Sequence, residues 1–330
     1  MKKAGCLAGF FCFSWLVPNL LILVINYSNT TGDEMTRIKL EIPERPADIG
    51  EFAVGRILPF RTKRMVGPFI FIDHMGPVTM GPERNMDVGP HPHIGLATLT
   101  YLLEGSIMHR DSLGTEIEIK PGEVNWMTAG KGVTHSERTP EHIRNKEKKV
   151  HGLQIWIALP KDLEEIDPDF YHAEIDELPV WEESGVKFTL IAGEAFGKNS
   201  LVPVYSSLFF IRAISENGAS LDLRGKVKGE VAAYVMEGGI KIDDQLFGKS
   251  KTVVFDENEP LIFQLEPGSD VFIFGGLPFP EERKIYWNFV SSDIKLIEQA
   301  AESWKKREFP PIPGDDGYIP LPEPGFRIKR

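Results

Sequence analysis

The sequence predicts an all-β protein: two similar antiparallel β-barrels followed by a short C-terminal helix. Three observations carry that prediction. From Phe52 onward, short β-type runs follow one another at regular spacing, each closed by a turn. An apolar run ending in Glu-Gly occurs twice, at Thr100-Tyr101-Leu102-Leu103-Glu104-Gly105 and at Ala233-Tyr234-Val235-Met236-Glu237-Gly238. Near the end, Ile294, Ile297, Ala300, Ala301 and Trp304 recur every three to four residues, the period of an amphipathic helix over Ser292 to Lys306.

Taken in order, Thr98 to Leu103 is a strand closed by Glu104-Gly105. Glu116-Ile117-Glu118-Ile119 alternates as a half-buried strand does, and Lys120-Pro121-Gly122 is a turn. Val124 to Met127 is a strand, Thr128 to Gly132 a turn, and Val133 to Glu137 a strand again. Gly152 to Leu159 closes the first set. Asp162 to Pro179, rich in acid and proline, reads as a linker. Thr252 to Phe255, Leu261 to Leu265 and Val271 to Phe274 are strands of the second set, with Glu266-Pro267-Gly268 turning between the last two. Phe309 to Phe326 is a Pro/Gly tail, expected to lie extended on the surface. The organisation is an N-terminal apolar segment (1–34), a metal-binding domain (35–165), a metal-free domain that includes the helix (166–308), and a Pro-rich tail (309–330).

The chain has 330 residues and a formal net charge of -11, and 31 glycines and 25 prolines suit a turn-rich β protein. An acidic surface repels phosphate backbones, so direct nucleic-acid binding is not expected. The two cysteines, Cys6 and Cys12, stand before the globular part. A metal bound there must therefore use imidazole and carboxylate. The first segment admits two readings. Lys2 and Lys3 precede an apolar run from Ala4 to Ile25, which reads as a signal anchor. The favoured alternative is a soluble, cytoplasmic chain starting at Met35, because the run is broken by Ser14 and by Pro18-Asn19.

All eight histidines fall at or before residue 172, so the second barrel has neither His nor Cys. A transition-metal site is not expected there. In the first barrel, His91-Pro92-His93 and His135-Ser136-Glu137 each place two ligand-type side chains at i and i+2, on one face of a strand. Gly89 and Gly130-Lys131-Gly132 provide turns ahead of them. If the two strands face one another across the barrel, three neutral imidazoles and one carboxylate converge. With a divalent ion the site carries net charge plus one and keeps positions open for further ligands. Pro92, lacking an N–H, suits a strand start or edge and points away from the metal. His109-Arg110-Asp111, placed in the loop after Gly105, reads as a strand-end salt bridge, with a network orienting a ligand as the alternative. Tyr101, Trp126 and Met127 read as core, and His74 as a packed histidine or one near the site mouth. His142, His151 and His172 read as surface or packing residues.

Gly67-Pro68-Phe69-Ile70-Phe71-Ile72-Asp73-His74-Met75-Gly76-Pro77, Pro90-His91-Pro92-His93-Ile94-Gly95 and Gly132-Val133-Thr134-His135-Ser136-Glu137 resemble the pirin family of the cupin superfamily. The likeness runs from about Ile38 to about Phe309. It implies a bicupin of two jelly-roll-type barrels and metal ligands at His91, His93, His135 and Glu137. Many cupins carry a Glu about four residues after the His-x-His pair, but here Ala97 stands there. The resemblance also implies one divalent metal, with Fe(II) favoured; nickel, copper, manganese and zinc suit the same donors. It further implies a flavonol (quercetin) 2,3-dioxygenase, with a small aromatic substrate such as a flavonol, dioxygen as co-substrate and Glu137 as the base. The alternative it implies is an iron-dependent redox-sensing regulator acting through a protein partner. Turnover of quercetin with release of carbon monoxide separates the two.

Overall fold

A computed structural model describes residues 38–322 except 51 and 257–260. The N-terminal segment read as an anchor or an upstream extension lies outside the described residues. Among the described residues, no helix is long and apolar enough to cross a membrane.

The first half lays down β1 (Ile38–Pro43), β2 (Arg45–Asp48), β3 (Ala53–Leu58), β4 (Phe69–Met80), β5 (Asp87–His93), β6 (Leu96–Glu104), β7 (Ile107–Asp111), β8 (Glu116–Ile119), β9 (Val124–Thr128), β10 (Val133–Arg138), β11 (Lys148–Ala158) and β12 (Asp169–Ala173). The second half adds β13 (Val180–Glu183), β14 (Val186–Ala195), β15 (Lys198–Asn199), β16 (Leu208–Ser215), β17 (Ala219–Asp222), β18 (Glu230–Glu237), β19 (Gly239–Ile242), β20 (Gln245–Gly248), β21 (Lys251–Phe255), β22 (Ile262–Leu265), β23 (Ser269–Gly276), β24 (Lys284–Tyr286), β25 (Phe289–Ser291) and α1 (Ile294–Lys305).

Each half closes a large sheet against a small one. In the first, the seven strands β12-β9-β6-β11-β4-β3-β2 face the four strands β5-β10-β7-β8. In the second, β1-β21-β18-β23-β16-β14-β13 faces β17-β22-β19-β20. The repeated order identifies two copies of one all-β bicupin plan. The Glu-Gly echo marks equivalent corners: β6 ends at Glu104 and β18 at Glu237, and Gly105 and Gly238 both take positive φ, 83° and 71°. A Cβ on Gly105 would lie 1.9 Å from Lys149 O, so only glycine fits that corner.

The large sheets stack back to back. Phe69, Ile72, Leu99, Tyr101, Trp126 and Ile155 of one share a core with Phe210, Tyr234, Phe272 and Phe274 of the other. The sheets do not divide where the chain does. β1 pairs with β21 of the second barrel, and β12, inside the stretch read as a linker, pairs with β9 of the first. The second barrel is filled: Phe188, Phe209, Ile211, Val235, Phe255, Phe263 and Ile273 pack its interior. The first has an apolar cluster of Met75, Met80, Met86, Leu102 and Ile119 at one end and of Ile70, Leu96, Met127 and Val133 at the other. Its inner surface also carries polar side chains, among them buried Thr100, Asn125, His91, His93 and His135.

The helix forms where periodicity placed it. Asp293 caps its N-terminus by accepting from Lys295 N at 2.9 Å, and Ile297, Ala300, Ala301 and Trp304 are its buried face.

Candidate metal centre

The two ligand-bearing strands are hydrogen-bonded neighbours, a correction to the expectation that they face one another across the barrel. β5 and β10 run antiparallel with His135 opposite His91 and Val133 opposite His93. Strand alternation still turns His91, His93 and His135 inward. Their ligand atoms all lie within 4.8 Å of one another. The rings are buried, with relative exposures of 7%, 1% and 1%.

Hydrogen bonding fixes two of the three tautomers. His91 Nδ1 donates to Gly89 O at 2.9 Å, and His93 Nδ1 donates to Asn288 O at 3.2 Å. A carbonyl can only accept, so each ring keeps its proton on Nδ1 and a lone pair on Nε2. Both ring nitrogens of His135 are buried without a partner. Burial holds His91 near pKa 4 and pushes His93 and His135 well below the usual histidine value, with the neighbouring imidazoles adding to it. Three neutral imidazoles therefore crowd one buried spot with no proton competing for their lone pairs. An unpaired buried polar atom costs roughly 1–3 kcal/mol, and a divalent cation satisfies such a set directly. The donors fit a metal of the iron, nickel, copper or zinc type.

Glu137 stands outside the group of mutually close ligand atoms. It sits deep among protein atoms yet keeps some solvent exposure. Burial raises its carboxyl to about 7, and a hydrogen bond from Thr100 opposes the rise. The Thr100 hydroxyl also lies 2.9 Å from Gln154 Oε1. A hydroxyl has one proton to give. It therefore serves Gln154 Oε1 or a Glu137 carboxylate, one at a time.

His109 belongs to β7, not to a loop, and lies opposite Glu137. Its Nε2 is 3.0 Å from Asp111 Oδ2, its ring stacks on Phe170 at 4.6 Å, and its centroid is 5.3 Å from that of His135. Burial alone would raise Asp111, but hydrogen bonds from His109 and Thr115 hold it below the usual carboxylate value. His74 faces the second barrel: its Nδ1 is 2.7 Å from Glu44 Oε1, Tyr234 OH donates to the same carboxylate, and its Nε2 is 3.0 Å from His151 Nε2. His172 Nδ1 reaches Asn125 Oδ1 at 2.7 Å, whereas His142 is exposed.

Opposite the histidines, the large sheet presents two ordered rows. Asp73, Gln154, Thr100, Asn125 and His172 are successive cross-strand partners, a polar row. Two residues along each strand, Phe71, Trp156, Thr98, Met127 and Phe170 form a largely apolar row. Trp156 stands edge-on to His93 at 5.1 Å and stacks on Phe71 at 4.1 Å. None of these rows was singled out from the sequence, although polar Thr98, Thr100 and Gln154 inside apolar runs are the visible trace of them.

Residues 51–157 match the pirin family, and residues 213–310 match the pirin C-terminal cupin domain. A pirin-like protein from Caulobacter vibrioides is 49% identical over 292 residues, 87% of this chain and all of the relative. The chain belongs to the pirin family. Among solved structures, this pirin resembles quercetin 2,3-dioxygenase from Acinetobacter baumannii, with TM-score 0.78, 34% identity, and 87% and 95% of the two chains covered. It shares its fold with the Escherichia coli pirin YhhW, solved in complex with nickel(II), at TM-score 0.58 and 20% identity over 73% and 99% of the chains.

Proposed function

We propose that this pirin is a metal-dependent dioxygenase of the flavonol 2,3-dioxygenase type. His91, His93 and His135 hold one divalent ion, with Fe(II) favoured, and Glu137 approaches as a fourth ligand and as the base. The observation that carries this reading is the pair of unpartnered nitrogens on buried His135, beside two imidazoles whose Nε2 lone pairs are already turned inward. When bound, such an ion supplies Lewis acidity and one-electron chemistry toward dioxygen.

The residues define what they can do around it. Burial raises the Glu137 carboxyl to about 7 in the metal-free protein, and a cation beside it would favour the carboxylate, the form that takes a proton from a substrate hydroxyl. Thr100 is the hydroxyl within reach of that carboxylate, and Gln154 Oε1 is its other acceptor. The apolar row with Phe71, Trp156 and Phe170 suits a flat aromatic body, and the polar row beside it suits the hydroxyl and carbonyl groups of a flavonol. The likeness to the Acinetobacter baumannii dioxygenase supports the same substrate class.

The test is metal analysis of anaerobically purified protein, followed by quercetin and oxygen with absorbance and carbon monoxide both recorded. Turnover in the parent and its loss in Glu137→Gln and His93→Ala is expected. A metal-loaded parent that leaves quercetin intact would retire the flavonol reading.

A further inference from the structure

The C-terminal tail does more than lie on the surface. Side chains on β10 alternate, so the residues between and beyond its inward-facing pair, Ser136 and Arg138, point out of the barrel. Asp315 takes both. Its Oδ2 accepts from Ser136 Oγ at 2.8 Å and from Arg138 Nε at 2.7 Å, and its Oδ1 accepts from Arg138 Nη2 at 2.7 Å and from Gly317 N at 3.3 Å. The Asp315 side chain is only 8% exposed, and the paired guanidinium holds its carboxyl below the usual range.

Four residues on, the same tail reaches the other ligand strand. β5 carries a bulge: His91 pairs with His135, but Val88 pairs with Glu137, so three steps on β5 match two on β10. The extra residue lies at Gly89-Pro90. There Gly89 O fixes the His91 ring, and Pro90 O accepts from Ile319 N at 3.0 Å. Gly317 is pressed so close that a Cβ there would sit 2.6 Å from Pro90 Cδ. The tail is itself held to α1: Trp304 Nε1 donates to Ile319 O at 2.9 Å, and Tyr318 stacks on Trp304 at 4.8 Å. One short segment thus bridges both ligand strands from outside, opposite the spot where three imidazoles converge inside.

We propose that Asp315 is a positioning residue of the metal centre, and that docking of the 309–322 tail and binding of the ion are thermodynamically linked. The proposal rests on the three-histidine metal reading above. By gripping β10 at Asp315 and capping the β5 bulge at Ile319, the tail sets the spacing of His91 from His135. Linkage is reciprocal: a docked tail tightens the ion, and a bound ion tightens the tail.

The experiment uses the full-length chain with Co(II), whose d–d absorption reports ligand geometry. Asp315→Ala is expected to weaken Co(II) binding roughly 10- to 100-fold, as loss of outer supports of a metal ligand does, and to shift the d–d band. Asp315→Asn, which keeps one acceptor oxygen, should fall between parent and Asp315→Ala. Asp316→Ala, at the exposed neighbour, should match the parent. A second arm needs no variant of Asp315: backbone hydrogen exchange over 309–322 in the parent should slow when Co(II) is added. Parent-like affinity and spectrum in Asp315→Ala, or exchange in the tail indifferent to the ion, overturns the linkage and leaves the metal reading standing. A parent that takes up no more Co(II) than His93→Ala removes the metal reading, and the linkage with it.

Discussion

Replacing Glu137 with glutamine should stabilise the metal-free protein at alkaline pH, although it removes a residue proposed to serve the metal. Burial raises the Glu137 carboxyl from 4.5 to about 7. A raised folded-state pKa means stability that is fully present below pH 4.5 and lost as pH rises through 7. At about 1.4 kcal/mol per pH unit, holding the carboxylate ionised inside the barrel costs at most about 3.5 kcal/mol above that range. Glutamine is close in shape to the protonated acid and escapes that cost. His91 works with opposite sign. Its pKa falls from 6.5 to about 4, so its contribution is present above 6.5 and lost as pH falls through 4. Between those limits the two largely offset each other in the parent, and Glu137→Gln leaves the His91 contribution uncompensated. Urea unfolding of chelator-treated protein at pH 4, 6 and 8.5 measures this. The advantage of Glu137→Gln over the parent should grow from near zero at pH 4 toward a ceiling of about 3.5 kcal/mol at pH 8.5. An advantage independent of pH, or a variant less stable than the parent at pH 8.5, would refute the burial argument. With the ion bound the order should invert.

Three further outcomes follow from the geometry. His135→Leu should abolish metal binding yet raise the stability of the metal-free form by roughly 1–2 kcal/mol, since it removes two unpartnered buried nitrogens; thermal melts in chelator check it. Thr100→Val removes the donor that lowers Glu137, so the pH at which turnover rises should move to higher values, which a pH–rate profile reads directly. Tyr234→Phe takes a donor from Glu44 at the junction of the barrels and should cost about 1–3 kcal/mol of stability, with Co(II) affinity unchanged.

Much of this pirin is legible in its sequence because strands carry a period of two and their turns need glycine. His91-x-His93 and the inward turn of His135 need only that alternation, and Gly105 and Gly238 mark matching corners because no other residue fits there. What was not legible is non-local. Nothing near His91 tells that β10 is its neighbour and not the opposite wall; that follows from strand order. Asp169–Ala173 is short and lies between Pro168 and Pro179, so its pairing with β9 was masked by linker composition. His109 seemed to lie in a loop because Gly105 closes β6, yet the chain re-enters a strand at Ile107. Glu137 follows the alternation, but its surroundings depend on Thr100 and Gln154 from two distant strands.

The shared ends of the two barrels have a consequence for biosynthesis. The carbonyl that orients His93 belongs to Asn288, made 195 residues after the histidine, and the amide that caps the β5 bulge belongs to Ile319. The strand β1, conversely, waits for β21 before it has a partner. On the ribosome, where chains emerge from the N-terminus, an edge strand of the second barrel is therefore made first, and the last contacts to the histidine-bearing barrel are made last. A nascent chain cut short before Asn288 would carry all three histidines and still lack both the carbonyl that orients His93 and the amide that caps the β5 bulge.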